Sequence, residues 1–386
     1  MYQKITITAL ILLLSGCATQ RAWVEEWPTH RYNLARRAAL PEGPRPPLRL
    51  RWKHATEGRI MYAAVADAER IYIGSRDGTL IALSHEGALL WKQTIEQGGL
   101  YQSPSLQGNE ILAGKWSPYY HIYGFARSNG EKQWELESGE LENRPPWVSA
   151  DDKQIIYSAD PPYSAENLEK SAVVALDRTS RTEQWRTILP GQLGGIATWS
   201  PTHIYVGTQS LSGNYMLAIE RASGKITWTH PLTGAPTSAP ILTAKAAHIS
   251  SENGDIYSFD LLSGTLNWRF TLTGDHVTSD MALGGDTLYF TSHTQHLYAF
   301  DLNNREVLWK FRAPRPLGAP IVTQKHIYAG SENRMLYAWE HSGRLSSVYP
   351  TGGALTAPPI IVKDLLIIGG EDGVVYAFEE QALPTK

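Results

Sequence analysis

The sequence predicts an all-β fold: an eight-bladed β-propeller of four-stranded antiparallel blades, closed by an N-terminal strand. Three observations carry this. A large-small-large triplet recurs eight times at near-even spacing, a Trp follows six of the triplets at a fixed interval, and tight turns separate the short β-rich runs between them. Composition agrees, because 13 Trp, 19 Tyr and 33 Gly against 5 Met suit strands and turns better than helices.

In chain order, Lys4 precedes an apolar run from Ile5 to Leu14, which leads into Leu14-Ser15-Gly16-Cys17. A basic start, a short apolar stretch and small residues before a Cys form a secretory signal over residues 1–16. The run is too short to span a bilayer, which takes about 20 apolar residues. Leu-Ser-Gly-Cys resembles the bacterial lipobox, which implies acylation of Cys17. Ala18 rather than Asp follows, which implies an outer-membrane anchor, with the chain facing the periplasm. Residues 17–47, rich in Pro and Arg, read as a solvated linker; contact of its arginines with anionic lipid near the anchor is the alternative. The propeller then runs over 48–380, and 381–386 form a tail.

The triplets are Ile81-Ala82-Leu83, Tyr123-Gly124-Phe125, Val174-Ala175-Leu176, Leu217-Ala218-Ile219, Tyr257-Ser258-Phe259, Tyr298-Ala299-Phe300, Tyr337-Ala338-Trp339 and Tyr376-Ala377-Phe378. Each is the core of a third strand. The small residue lies on the opposite face from its two large neighbours, where it lets an adjacent sheet approach. Trp91, Trp134, Trp185, Trp228, Trp268 and Trp309 follow, placed to fill the wedge between blades near the rim. The corresponding position in the seventh repeat is Ser347. Asp-Gly and Asn-Gly pairs, as in Asp77-Gly78 and Asn253-Gly254, supply hairpin turns between second and third strands. The eighth repeat stops at Phe378 without an outer strand. The segment Leu48 to Trp52 supplies it, with Trp52 as the remaining rim Trp, which removes an exposed sheet edge.

The pattern Ile-Tyr-Val-Gly, Asp-Gly, Tyr-Ala-Phe-Asp, Ser-Gly and Trp resembles the quinoprotein-like (PQQ-like) repeat family over nearly the whole mature chain. With the lipobox and eight blades, it is similar to the lipoproteins of that family that serve outer-membrane β-barrel assembly. The resemblance implies a non-enzymatic scaffold, monomeric within a hetero-complex, that docks on the central barrel-assembly protein. Those relatives carry Leu-Ser-Leu-Arg-Gly in a docking loop ahead of the fourth blade. The nearest segment here, Leu189-Pro190-Gly191-Gln192-Leu193-Gly194-Gly195, has no Arg. The opening Trp27-Pro28-Thr29-His30-Arg31-Tyr32-Asn33 is closer to other secreted lipoproteins of the repeat family, which leaves a different envelope complex as the alternative partner.

Chemistry-bearing patterns are sparse. A formal charge of -3 argues against nucleic acid. A single Cys excludes an internal disulfide and a cysteine-based metal centre. Quinone-dependent dehydrogenases share the repeat, but no cysteine pair or calcium-ligand set is present, so neither an enzyme nor a cofactor is expected. Asp77, Asp177, Asp260, Asp301 and Asp372 sit where Asp bonds the backbone of its own turn. His293 and His296 flank a hairpin tip without a third ligand, so no metal is expected. Binding is the stronger prospect. The loops between second and third strands are expanded in blades two to four. Together with the inter-blade link at 143–147, they bring Trp116, Tyr119, Tyr120, Arg144, Trp147, Tyr163 and Tyr215 to one face. Aromatics and Arg are the residues of interface hot spots. The alternative is that these aromatics pack their own loops.

Overall fold

The computed structural model describes residues 23–382 apart from 34, 96–97, 117–119, 140–146 and 160–169; at 116 and 139 only the backbone is described. The strands form eight sheets around an axis, each running from an inner strand to an outer one. Blade 1 is representative: Val65–Ala66, Arg70–Gly74, Thr79–Ser84 and Leu89–Thr94, all antiparallel. Blade 8 takes its outer strand, Leu48–Ala55, from the N-terminal side, paired with Val374–Glu380 through Leu48↔Glu380 to Ala55↔Val374. The closure read from the sequence is therefore the one observed.

The small residue of each triplet has a different job from the one its alternation suggests. It lies directly opposite the rim Trp, on the same sheet face: Ala82↔Trp91, Gly124↔Trp134, Ala175↔Trp185, Ala218↔Trp228, Ser258↔Trp268, Ala299↔Trp309 and, in blade 8, Ala377↔Trp52. The ladder shifts register just after each pair, a bulge that sets the Trp interval. The small side chain makes room for the indole of its own blade. At Gly124 an added Cβ would fall on the Trp134 ring.

Each indole then reaches the next blade. Trp52, Trp185 and Trp309 donate Nε1–H to the main-chain carbonyls of His85, Arg221 and His341, each at 2.8 Å. Trp91 bonds Arg127 O at 3.0 Å and Trp228 bonds Leu261 O at 3.1 Å. The turn that offers the carbonyl also lays a glycine over the ring, so that a Cβ at Gly87 or Gly224 would stand 2.6 or 2.7 Å from Trp52 or Trp185. Blade 3 has Arg181 at this turn position (φ 58), its guanidinium 4.9 Å from the Trp134 ring centre, and Trp134 bonds Glu110 Oε1 at 2.9 Å instead.

The missing Trp at Ser347 has the same cause. Its neighbour, blade 8, receives its outer strand from the other end of the chain and so has no third-to-outer hairpin to offer a carbonyl. Tyr349 serves there, its hydroxyl accepting from Leu48 N at 2.7 Å and its ring lying tilted against Phe378, 5.9 Å between centres.

The linker expected over 17–47 is not what residues 23–47 form. They are folded against the inner strands. Trp27 bridges Ala66 of blade 1, and Pro28 O accepts from Leu106 N of blade 2. Ala35, Arg37 and Ala38 accept from Leu242, Leu283 and Val322 of blades 5, 6 and 7. Ala39–Leu40 pairs in parallel with Ile321–Thr323 as a fifth strand of blade 7. The chain then passes out between blades 7 and 8 to become the closing strand. Trp27 and Arg31 are each 1 % exposed. The physical reason is that the inner edge of every blade presents unpaired N–H and C=O groups at the axis, and this segment pairs them.

Candidate functional site: a loop face and a closed axial mouth

The two faces of the propeller differ in what the chain places on them. One carries the hairpins between second and third strands and the links between blades. On it, Tyr119, Arg144 and Tyr163 lie outside the described residues, and of Trp116 only the backbone, paired with Gly99, is described. Tyr120 and Trp147 are buried, each 4 % exposed, rather than presented to a partner. Trp147 packs with Leu189, Leu193 and Trp199 between blades 3 and 4, held by Ser158 Oγ accepting from its N–H at 3.0 Å. For these two, packing within the fold wins, because each follows directly into a strand. Tyr215 is half-buried beneath the loop glycine Gly213. At the tip of that loop Leu211 is 94 % exposed.

A second aromatic group on this face was not read from the sequence. Arg76, in the hairpin turn of blade 1, donates to Tyr101 OH at 2.8 Å and sits 4.6 Å from its ring centre. Tyr62, in the preceding link, lies 6.4 Å from Tyr101, ring centre to ring centre, and Arg76 also reaches Met61 Sδ at 3.3 Å. The hydrogen bond to Tyr101 raises the Arg76 pKa, so the guanidinium is a permanent charge. The available signal was the rule that two-residue turns share a face with inter-blade links, which places Arg76 beside Tyr62 and Tyr101.

The opposite face carries the turns between first and second and between third and outer strands. Here residues 24–38 seal the axial mouth with a charged core. Arg31 donates to Met281 O at 2.9 Å and Pro320 O at 2.6 Å; Arg36 donates to Ala197 O at 2.7 Å and His30 O at 3.1 Å. Burial lowers both guanidinium pKa values to about 10, which still leaves them charged at neutral pH. Burial also holds His30 below the usual 6.5, so the ring is neutral. Its Nε2–H then donates to Asp280 Oδ2 at 2.7 Å, and its Nδ1 accepts from Ser103 Oγ at 3.1 Å. Burial alone would push Asp280 up, but the His30 bond and the nearby arginines hold it well below the carboxylate range. Seven blades, all but the third, are thus joined across the axis through one segment.

Among the described residues no group of three or more His, Cys, Asp or Glu could hold a metal ion. The residues do not fit a redox quinone of the kind the repeat family holds between adjacent cysteines, since the chain has one Cys and Trp27, Arg31 and Arg36 fill one end of the axis.

A family model described as outer membrane protein assembly factor BamB matches residues 36–160, 169–269 and 252–382. The outer membrane protein assembly factor BamB of Yersinia pestis is 22% identical over 316 residues, covering 74% of this chain and 77% of its own. The crystal structure of BamB from Moraxella catarrhalis superposes with a TM-score of 0.70 at 17% identity, covering 88% of this chain and 99% of that one. The quinohemoprotein alcohol dehydrogenase of Comamonas testosteroni superposes with a TM-score of 0.77 at 13% identity, over 94% of this chain and 82% of that one. At such identities the superpositions speak for the fold alone.

Proposed function

The chain belongs to the family of outer membrane protein assembly factor BamB, and from that premise we propose that it is a non-enzymatic scaffold in the assembly of β-barrel outer-membrane proteins. The observation that carries the reading is the family match across nearly the whole propeller. In the proposal Cys17 is acylated and anchors the chain to the outer membrane on the periplasmic side. The partner, the central barrel-assembly protein, meets the loop face at the patch of Tyr62, Arg76 and Tyr101, and the contacts read from the sequence alone, Trp116, Tyr119, Arg144 and Tyr163, belong to the proposal. A permanent cation among aromatics, with an exposed Leu211 on blade 4 of the same face, is the composition that anchors protein interfaces.

A second reading, a sister lipoprotein on a different envelope complex, is favoured by one segment. Leu189 and Leu193 stand nearest the relatives' docking loop, yet both are buried in the core between blades 3 and 4, and no Arg accompanies them. Purification in mild detergent from native membranes through a C-terminal tag, with mass spectrometry, separates the two. Recovery of the barrel-assembly protein, lost in a Trp116→Ala, Tyr163→Ala double variant that still folds, is the expected result. Recovery of another complex in its place overturns the assembly role and keeps the scaffold.

A further inference from the structure

The axial segment fixes where the chain leaves the propeller. Val24 O accepts from Lys363 N at 2.7 Å, in the first-to-second-strand turn of blade 8. The chain therefore enters on the sealed face. Cys17 stands six residues before Trp23, and six residues reach at most about 20 Å when fully extended. A free linker over 17–47 would reach about 100 Å and leave the propeller able to turn at will. From Val24 onward the chain is instead held by main-chain bonds to blades 8, 1, 2, 5, 6 and 7, so the short span before it is all the slack.

We infer that the sealed face is held against the anionic headgroups of the membrane and that the loop face is turned away from it; this rests on the acylation of Cys17 proposed above. A groove of about 510 Å³ between blades 4 and 5 supplies the contact on this face. Arg37, Lys245, Asp260 and Leu262 line it, over the buried Trp199, and Leu262, at the tip of a turn, is 73 % exposed. Arg37 and Lys245, outnumbering Asp260, beside an exposed Leu match a surface whose headgroups are negative and whose acyl boundary lies just beneath. Strands of six residues rise about 20 Å, so a partner on the loop face engages that far or farther from the bilayer.

The test uses the full acylated protein in vesicles of phosphatidylethanolamine and phosphatidylglycerol with a headgroup-attached quencher. Acylation occupies the Cys17 sulfur, so an introduced cysteine is the one free thiol for a fluorophore. Asn304→Cys and Ser342→Cys report from the sealed face, Glu252→Cys and Glu332→Cys from the loop face. Quenching is expected to be stronger at 304 and 342 by roughly twofold or more, given about 20 Å of strand between the faces. Equal or reversed quenching in protein that still floats with the vesicles overturns the orientation and leaves the anchor standing. Protein that does not float overturns the anchor, and the orientation with it. Inserting about twenty Gly and Ser residues after Gln20 is expected to erase the contrast, since such a linker behaves as a flexible coil; a contrast that survives overturns the tether as its cause.

Discussion

The contact between each rim Trp and the turn of the next blade can be measured by replacing a turn glycine. Gly224 (φ +74) and Gly274 (φ +75) share one backbone conformation, but a Cβ on Gly224 would stand 2.7 Å from Trp185, whereas a Cβ on Gly274 meets nothing within 4 Å. Alanine in the left-handed region costs about 1–2 kcal/mol at either site. At Gly224 the indole must also move, which adds an overpacking cost of about 1–3 kcal/mol. The shift breaks the 2.8 Å bond to Arg221 O, worth about 1 kcal/mol net. Blade 2 escapes this loss because Glu110 accepts from its Trp134. In blade 3 the corresponding residue is Gln154, whose amide is already engaged with Gln184 and Arg221. Gly224→Ala is therefore expected to cost about 2–4 kcal/mol more than Gly274→Ala in urea unfolding. In a Trp185→Ala background the two should converge, giving a coupling of about 2–4 kcal/mol in the double-mutant cycle. Equal costs for the two glycines, or a coupling under about 0.5 kcal/mol, would refute the interlocking of blades through the indole.

Three further outcomes are expected. Trp52→Ala, which removes the indole bonded to His85 O, should cost about 3 kcal/mol and speed amide exchange in Leu48–Ala55 while leaving blade 4 unchanged; a uniform change across the blades would contradict the closing role. His248 is buried beside Trp268 with neither ring nitrogen hydrogen-bonded, and burial holds its pKa down to about 4 from 6.5. Its folded form is neutral, so its contribution is full above pH 6.5 and is lost as pH falls towards 4, by up to about 3 kcal/mol. His248→Phe should flatten the urea midpoint between pH 7 and 4.5 relative to the parent, and an unchanged slope would count against this assignment. Limited trypsin digestion should leave the bonds after Arg31 and Arg36 as resistant as those inside the blades, since both side chains are buried at the axis; rapid cutting there would restore the linker.

The blades were legible because each is specified locally. Triplet, turn and Trp lie within about one repeat of one another, and every partner leaves its own mark in the sequence. Even so, alternation alone put the small residue on the wrong duty, because the bulge that brings it opposite its Trp appears in the sequence only as an eleven-residue interval between the triplet's first residue and the Trp. The seal was illegible for the opposite reason. Residues 23–40 recognise main-chain carbonyls and N–H groups of seven blades, and those groups are common to every residue type. Pro and Arg content, the usual sign of a linker, here serves an axis with backbone acceptors for guanidinium. In the loop face, Tyr120 and Trp147 looked like surface aromatics because burial at the root of a loop cannot be told from exposure at its tip by composition.

The closing strand also dictates a timetable. Arg45 N bonds Glu380 Oε2 across 335 residues, and Arg31 reaches Pro320 O across 289. A chain that emerges N-terminus first therefore presents its opening segment and its future outer strand long before their partners exist. Each blade can collapse in turn from local pairings, while ring closure must wait for the final repeat, the slow kind of step that distant pairing imposes. Until then the Leu48–Ala55 strand and the free edge of the last blade are open to any other extended chain. The nascent ring must be held apart from its neighbours during that interval, and a cut that removes only the last repeat would leave a molecule that never leaves it.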